Sequence, residues 1–311
     1  MQLRSAVAVV AALALAGAAG FFVLTITVPV VSGALPPRTA DLANGETMFR
    51  AGGCASCHAT PGQDDHRRLG GGLALPTTFG TFKAPNISSD PVHGIGAWPE
   101  VAFVNAMLRG IGRNGEHLYP SFPYTSYQRM ALDDVRDLFA FLKTLPAEAR
   151  PSEPHKLPFP FSVRRGLGLW KLLYLDGKTF VPDAGKSALL NRGAYLVEGP
   201  GHCAECHSPR DFFGGIVAAQ RFAGGPDPEG KQWVPNITPH SDGLGTWFES
   251  DISYLLETGK KRNADGDGYE DVGSTMKAVT ANTKHLSPDD RAAIAAYIKS
   301  LPPRPSALSA K

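Results

Sequence analysis

A chain of 311 residues has room for two domains of ordinary size, and its apolar content of 43% excludes a largely disordered protein. The net charge of +2, without a basic stripe, excludes nucleic acid as a partner. Glycine (34 residues) and proline (26 residues) both exceed average usage, so we expect long, turn-rich connections between a few regular elements.

The N-terminal segment is strongly apolar. Residues from Ala6 to Val31 are almost wholly apolar, a run longer than the roughly 20 residues that span a bilayer and the roughly 7–15 of a signal-peptide core. We therefore predict that residues 1–34 are a membrane anchor. A cleaved signal is the alternative, because Ala16-Gly17-Ala18 offers a small-residue cleavage site. Arg4 and the amino terminus carry the only positive charges before this run, which predicts a cytoplasmic N-terminus.

Two copies of one signature contain all four cysteines of the chain. They are Cys54-Ala55-Ser56-Cys57-His58 and Cys203-Ala204-Glu205-Cys206-His207. Each copy sets two thiols one helical turn apart with an imidazole beside them, the arrangement that attaches a c-type haem. The thiols add to the haem vinyl groups, and His58 or His207 binds the iron. The sequence predicts two covalently bound haem c groups and no disulfide.

Two other sites use paired cysteines. A structural zinc site draws its four ligands from one compact module, whereas Cys203 lies 149 residues after Cys54. A thioredoxin-like redox pair follows a strand and needs no histidine. The histidine in both copies therefore favours haem over either alternative.

More than the cysteine signature repeats between the two halves of the chain. Pro85-Asn86-Ile87 and Pro235-Asn236-Ile237 follow the first cysteine of their signature by 31 and 32 residues. Gly94-Ile95-Gly96-Ala97-Trp98 recurs as Gly243-Leu244-Gly245-Thr246-Trp247, and each tryptophan lies 44 residues beyond that cysteine. The halves are therefore predicted to be two versions of one domain.

Paired acidic residues and a proline mark the end of each version. Asp133-Asp134 opens a segment that ends at Leu145-Pro146, and Asp289-Asp290 opens one that ends at Leu301-Pro302. The run 167–174 between the domains is too short to span a bilayer; we expect it to pack the domains together or to contact a partner. The predicted segments are domain 1 at 35–149, a linker at 150–186, domain 2 at 187–304 and a tail at 305–311.

Helical spacing dominates both domains. After each tryptophan, apolar residues recur at helical intervals, as Val101, Val104 and Leu108 do in domain 1. Asn44 and Asn191 are predicted to cap the helices that precede the cysteine signatures. No convincing alternating strand pattern is present. The predicted fold class is all-α, with two tandem domains after an N-terminal transmembrane helix.

Each half resembles a class I cytochrome c domain. The resemblance implies that an N-terminal helix, with Gly45 in domain 1 and Gly193 in domain 2, crosses a C-terminal helix that carries Phe141 or Tyr297. It also implies a methionine as the sixth iron ligand.

From about Gly45 to Pro302, the chain is similar to the multihaem cytochrome c subunits of bacterial membrane-bound alcohol and gluconate dehydrogenases. Many of those subunits carry three haem signatures, whereas this chain has two. The residues that carry the similarity are Ala84-Pro85-Asn86-Ile87, Gly94-Ile95-Gly96-Ala97-Trp98, Leu118-Tyr119-Pro120-Ser121-Phe122-Pro123-Tyr124 and Val234-Pro235-Asn236-Ile237-Thr238-Pro239.

Candidate methionine ligands differ between the domains. Met276 is the only methionine of domain 2 and lies between the tryptophan helix and the closing helix. In domain 1 we predict Met130 by its loop position, with His117 and Met107 as alternatives. Some relatives have a methionine where this chain has Phe122. A methionine ligand raises the potential and fills the iron site, which favours electron transfer over substrate chemistry.

The predicted function is electron transfer. The resemblance implies that the chain accepts electrons from the large subunit of a dehydrogenase and passes them to quinone or a terminal oxidase. It would do so at the cytoplasmic membrane of a bacterium, with its soluble domains on the periplasmic side. The alternative is a di-haem enzyme of the peroxidase or thiosulfate dehydrogenase type, in which one haem lacks a methionine. The sequence contains no dinucleotide fingerprint or nucleophile motif, so we expect a non-catalytic subunit of an oxidoreductase complex.

Overall fold

A computed structural model describes residues 2–227, 230, 232–263 and 268–307. The described chain begins with one long helix, α1 (Gln2–Leu24). Its segment Arg4–Leu24 has 21 residues and a mean hydropathy of 2.5, and none of its most apolar stretch is buried inside the protein. At about 1.5 Å per residue this segment matches the roughly 30 Å hydrocarbon core of a bilayer.

Two helical domains follow α1, and a short helix lies between them. The domain 1 helices are α2 (Leu42–Ala51), α3 (Cys54–His58), α4 (Glu100–Arg109), α5 (Tyr124–Tyr127) and α6 (Leu132–Leu142). The linker helix is α7 (Leu167–Tyr174). The domain 2 helices are α8 (Ala188–Glu198), α9 (Ala204–His207), α10 (Glu249–Thr258), α11 (Ser274–Thr283) and α12 (Pro288–Ser300).

Three short antiparallel hairpins accompany the helices. The strand pairs are β1 (Ala74–Thr77) with β2 (Gly80–Lys83), β3 (Gly225–Pro226) with β4 (Trp233–Val234), and β5 (Lys260–Arg262) with β6 (Tyr269–Asp271). Within the described residues no strand exceeds four residues, a length too short to produce a detectable alternation in the sequence. The predicted all-α class is confirmed, and the hairpins are additions to it.

A close helix crossing organises each domain. A Cβ atom at Gly45 in α2 would overlap the Asp137 carbonyl oxygen and lie 2.7 Å from Phe141 Cβ in α6. The second domain repeats this contact, because a Cβ at Gly193 would overlap the Ala293 carbonyl oxygen. Glycine at these two positions lets the first and last helices of each domain touch through their backbones. The crossing implied by the resemblance is therefore present.

Both predicted helix caps are wrong by three or four residues. Asp41 caps α2 by accepting a hydrogen bond from the Asn44 backbone N–H at 3.0 Å, and Ser187 caps α8. Asn44 instead donates its side-chain amide to Asp134 and Asp137 in α6. An earlier residue with a side-chain oxygen can cap the helix equally well. Residue type alone therefore does not determine where α2 and α8 begin.

The linker helix α7 binds both domains. Lys171 Nζ donates to the carbonyl oxygens of Arg109 and Gly110, each at 2.7 Å, at the C-terminal end of α4. Trp170 Nε1 donates to the Phe213 carbonyl oxygen at 2.9 Å, in domain 2. The segment 167–174 therefore packs the domains together, the first of the two expectations for it.

Candidate haem sites

Each cysteine signature forms one isolated helical turn, α3 or α9. A left-handed residue precedes each signature: Gly53 with φ of 55° and His202 with φ of 38°. All four cysteines are free of disulfides. Burial raises the pKa of both Cys54 and Cys203 to about 12, so both thiols are neutral in the protein without a bound group. Among the described residues, no group of three His, Cys, Asp or Glu side chains could hold a metal ion.

The histidine of each signature is oriented by a proline carbonyl. His58 Nδ1 lies 2.8 Å from the Pro85 oxygen, and His207 Nδ1 lies 2.8 Å from the Pro235 oxygen. A carbonyl oxygen only accepts, so Nδ1 carries the proton and Nε2 keeps a free lone pair. Burial lowers the pKa of both histidines and so favours the neutral ring. A neutral imidazole with a fixed tautomer is what an iron ligand requires, so these residues fit a haem.

The asparagine of the repeated Pro-Asn-Ile motif holds this carbonyl in place. Asn86 Nδ2 donates to the backbone oxygens of Glu148 and Arg150 at 2.6 and 2.8 Å, beyond the closing helix. In domain 2, Asn236 Nδ2 donates in the same way to the Arg304 oxygen at 2.8 Å. Sequence reasoning found the repeat but not the role of the carbonyl; the signal was a proline at a nearly fixed distance from each cysteine pair.

The two signatures meet at the domain interface, where each contacts the other domain. Ser56 Oγ donates to the Ala278 oxygen of α11 at 3.1 Å and accepts from Asn282 Nδ2 at 3.0 Å. Glu205, at the same position of the second signature, accepts from Thr125 Oγ1 at 2.8 Å and from Ser126 Oγ at 3.0 Å. We call this exchange of contacts the reciprocal docking. In each domain the docking partner is the segment between the tryptophan helix and the closing helix.

Residues beside the signatures tighten the same interface. His202 Nε2 lies 3.2 Å from the Gly52 oxygen, and its ring packs edge-on against Tyr127 at 5.6 Å between centroids. His202 directly precedes Cys203, and Gly52 lies two residues before Cys54. Because these flanking residues are in contact, haems attached to the two signatures would be near neighbours.

The two candidate methionines lie in different settings. Met276 is in the first turn of α11 rather than in a loop, and it is half-buried against the core. Met130 is 1% exposed and lies three residues before Asp133. In domain 2, the residue three before Asp289 is Leu286, which is also buried. Met130 thus occupies the position that a buried packing residue, Leu286, occupies in domain 2. Both methionine assignments stay predictions.

The alternatives in domain 1 have other contacts. His117 Nε2 bonds to the Thr25 oxygen at 2.9 Å, just beyond α1, and Met107 is buried within α4. Phe122, at the position where some relatives have methionine, packs against Tyr127 at 5.4 Å between ring centroids. With His117 engaged, Met130 remains the better candidate.

The buried His117 predicts an acid-sensitive fold. Because Nε2–H donates to Thr25, protonation at Nδ1 would create a buried donor without a partner. Burial lowers the pKa of His117, whereas an unfolded histidine titrates near about 6.5. Below that pH the unfolded chain binds the extra proton, so the free energy of unfolding falls as the pH falls. We expect His117→Gln to reduce this acid slope in denaturant titrations followed by circular dichroism.

Comparison of that variant with the wild type above pH 8 supplies the control. There the imidazole is neutral in both states, so the two stability curves should run parallel. An acid slope in His117→Gln equal to that of the wild type would contradict the assignment.

The paired domains and their histidine geometry are those of a tandem cytochrome c. The family model for cytochrome c matches residues 42–146 and 190–302, each of which contains one cysteine signature. The chain belongs to the cytochrome c family, its function is electron transfer, and it carries two covalent haem c groups. The matched regions lie inside the two predicted domains, whose outer boundaries stay predictions.

Similar proteins include both a di-haem cytochrome and subunits of dehydrogenases. A di-haem cytochrome c-type protein of Cereibacter sphaeroides is 45% identical over 303 residues, 96% of this chain and 98% of that protein. The fructose dehydrogenase cytochrome subunit of Gluconobacter japonicus is 36% identical over 84% of this chain and 53% of its own length. The gluconate 2-dehydrogenase cytochrome c subunit of Pantoea cypripedii is 35% identical over 83% of this chain and 58% of its own length. The chain spans little more than half of those two subunits.

Proposed function

We propose that this chain is a membrane-anchored di-haem cytochrome c that passes electrons from a partner dehydrogenase to quinone or a terminal oxidase. The reciprocal docking carries the proposal, because it brings both signatures to one interface. The apolar helix α1 supports the anchor, and the positive charge at its start supports a periplasmic location for both domains. The dehydrogenase subunits among the similar proteins support the choice of electron donor.

In this proposal the chain supplies the ligands of both haems and the residues that hold those ligands in place. Bound haem iron supplies a one-electron redox couple. Cys54 and Cys57 would hold the first haem and Cys203 and Cys206 the second, through thioether bonds. His58 and Met130 would ligate the first iron, and His207 and Met276 the second.

The remaining groups keep these ligands in place during electron transfer. The carbonyls of Pro85 and Pro235 retain the Nδ1 protons, so the imidazoles do not rotate or change tautomer. Each domain also bonds to the signature helix of the other, which holds the two helices in a fixed relation. A small structural change on reduction favours rapid electron transfer, and a rigid ligand set provides it.

The direct test is partial reduction of the purified full-length protein. After a pulse that delivers less than one electron per chain, we expect the two haems to equilibrate at a rate independent of protein concentration. The matched variant Thr125→Ala/Ser126→Ala removes the hydroxyl contacts to Glu205, and we expect it to slow this phase. Ser300→Ala, which removes a hydroxyl bonded to the Tyr297 oxygen at the exposed end of α12, should leave the rate unchanged.

Two outcomes would contradict the proposal. An equilibration rate that rises with protein concentration would mean that electrons pass only between chains. A high-spin haem in the oxidised or reduced protein would favour the di-haem enzyme instead. Purification from solubilised membranes, followed by reduction of both haems with the substrate of a co-purified dehydrogenase, tests the donor.

A further inference from the structure

The linker helix α7 has an inverted pattern of burial. Its buried residues are Gly168 and Lys171, whereas Leu169, Leu172 and Leu173 are exposed at 41%, 63% and 68%. The three leucines lie at i, i+3 and i+4, so they share one face of the helix. A helix that meets water normally buries its leucines and exposes its lysine. The exposed face of α7 therefore suits an apolar surrounding.

The other sides of α7 are already covered. A Cβ at Gly168 would lie 2.6 Å from Thr25 Cα, just past the end of α1. Lys171 faces the end of α4, and Tyr174 donates its hydroxyl to Asp211 of domain 2 at 2.7 Å. Within the described residues, the face of α7 that carries the three leucines is its most exposed side.

Aromatic residues extend this leucine face into domain 2. Phe213 is held beside α7 by the bond from Trp170 Nε1 to its carbonyl oxygen, and Phe212 lies next to it. These two rings are 60% and 89% exposed. We define the apolar face as Leu169, Leu172, Leu173, Phe212 and Phe213. Exposed apolar side chains gathered on one side of a protein mark an interaction surface.

The position of α7 identifies what covers this face. Arg165 Nη2, in the turn before α7, donates to the Phe22 oxygen at 2.9 Å, and its guanidinium lies 4.5 Å from the Phe22 ring centroid. Phe22 belongs to the last turn of α1. The apolar face is therefore adjacent to the point where the proposed membrane span ends, and the surroundings of α1 at that level are lipid.

We propose that the apolar face lies in the bilayer, at the boundary between headgroups and acyl chains, beside the end of α1. This inference rests on the proposed membrane anchor. Interfacial segments bury leucine and phenylalanine about 5–10 Å into this boundary, and tryptophan and tyrosine favour the same depth. Trp170 and Tyr174 are half-buried at the edge of the face. Because α7 binds both domains, contact between the apolar face and the bilayer would hold both haem domains against the membrane surface.

The test uses full-length protein in phosphatidylcholine vesicles that contain a lipid with a photoactivatable diazirine on its acyl chain. After illumination and digestion, mass spectrometry locates the labelled residues. We expect label in α1, in residues 169–173 and in residues 212–213. Val92, which is 79% exposed in domain 1, serves as an internal control and should carry none.

A matched variant separates lipid contact from other effects. In Leu172→Gln/Leu173→Gln we expect loss of label at 169–173, while label in α1 and the haem spectrum stay as in the wild type. Label in α1 without label at 169–173 in the wild-type protein would overturn this inference and leave the anchor intact. Absence of label from α1 would overturn the anchor and this inference together. Protection of the face by a co-purified dehydrogenase, without lipid label, would assign the face to that protein and overturn the lipid assignment.

Discussion

Replacing Met276 by leucine should remove the methionine-to-iron charge-transfer band of the second haem and lower its reduction potential. A thioether ligand favours reduced iron, and leucine offers no lone pair in its place. We expect a drop of more than about 59 mV, which is tenfold in the equilibrium constant for one electron. Spectroelectrochemistry of the purified protein measures both changes. Leucine has nearly the same volume as methionine, so packing in α11 is conserved.

The same substitution elsewhere in the chain supplies the comparison. Met130→Leu should abolish the charge-transfer band of the first haem, whereas Met107→Leu in α4 should leave both bands intact. A first haem whose band survives Met130→Leu would exclude Met130 as its ligand. Such a result would agree with a packing role for Met130, because the equivalent position of domain 2 is occupied by the buried Leu286. Survival of both bands in Met276→Leu would exclude Met276.

Gly193→Ala should severely destabilise domain 2. The new Cβ would overlap the Ala293 carbonyl oxygen and lie 2.7 Å from Tyr297 Cβ, so α8 and α12 would have to separate. Because the overlap is with backbone, no side-chain rotation relieves it. We expect a loss of about 3 kcal/mol or more in the free energy of unfolding. Denaturant titration followed by circular dichroism measures this loss, and the haem content of the second signature should fall with it.

Gly166→Ala is the matched control, since nothing lies within 4 Å of a Cβ built there and its φ is negative. This variant should be as stable as the wild type or slightly more so, because alanine restricts the unfolded chain. A wild-type free energy of unfolding in Gly193→Ala would mean that α8 and α12 are not in backbone contact.

The sequence was sufficient for the large features of the fold because those features repeat. A signature, a proline and a tryptophan at matching intervals in each half indicate two similar domains without any knowledge of packing. The helix starts were less accurate, since Asp41 and Ser187 compete with Asn44 and Asn191 for the same local role. Local chemistry alone does not rank such neighbours.

Contacts between distant segments could not be predicted from the sequence. The partners of Ser56 and Glu205 lie 222 and 80 residues away, and no local pattern links them. The two signatures differ at this position because each meets a different surface: a helix carbonyl for Ser56, and two hydroxyls for Glu205. A comparison of the two signatures showed the difference but not its cause.

The reciprocal docking makes each cysteine signature part of the domain interface as well as a haem site. Ser56 and Glu205, the middle residues of the two signatures, bond to the other domain, while all four cysteines stay partly exposed. A chain that closed without haem would hold free thiols on both sides of this interface, and an oxidising compartment can join neighbouring thiols into a disulfide. Early haem attachment would remove the thiols from that side reaction.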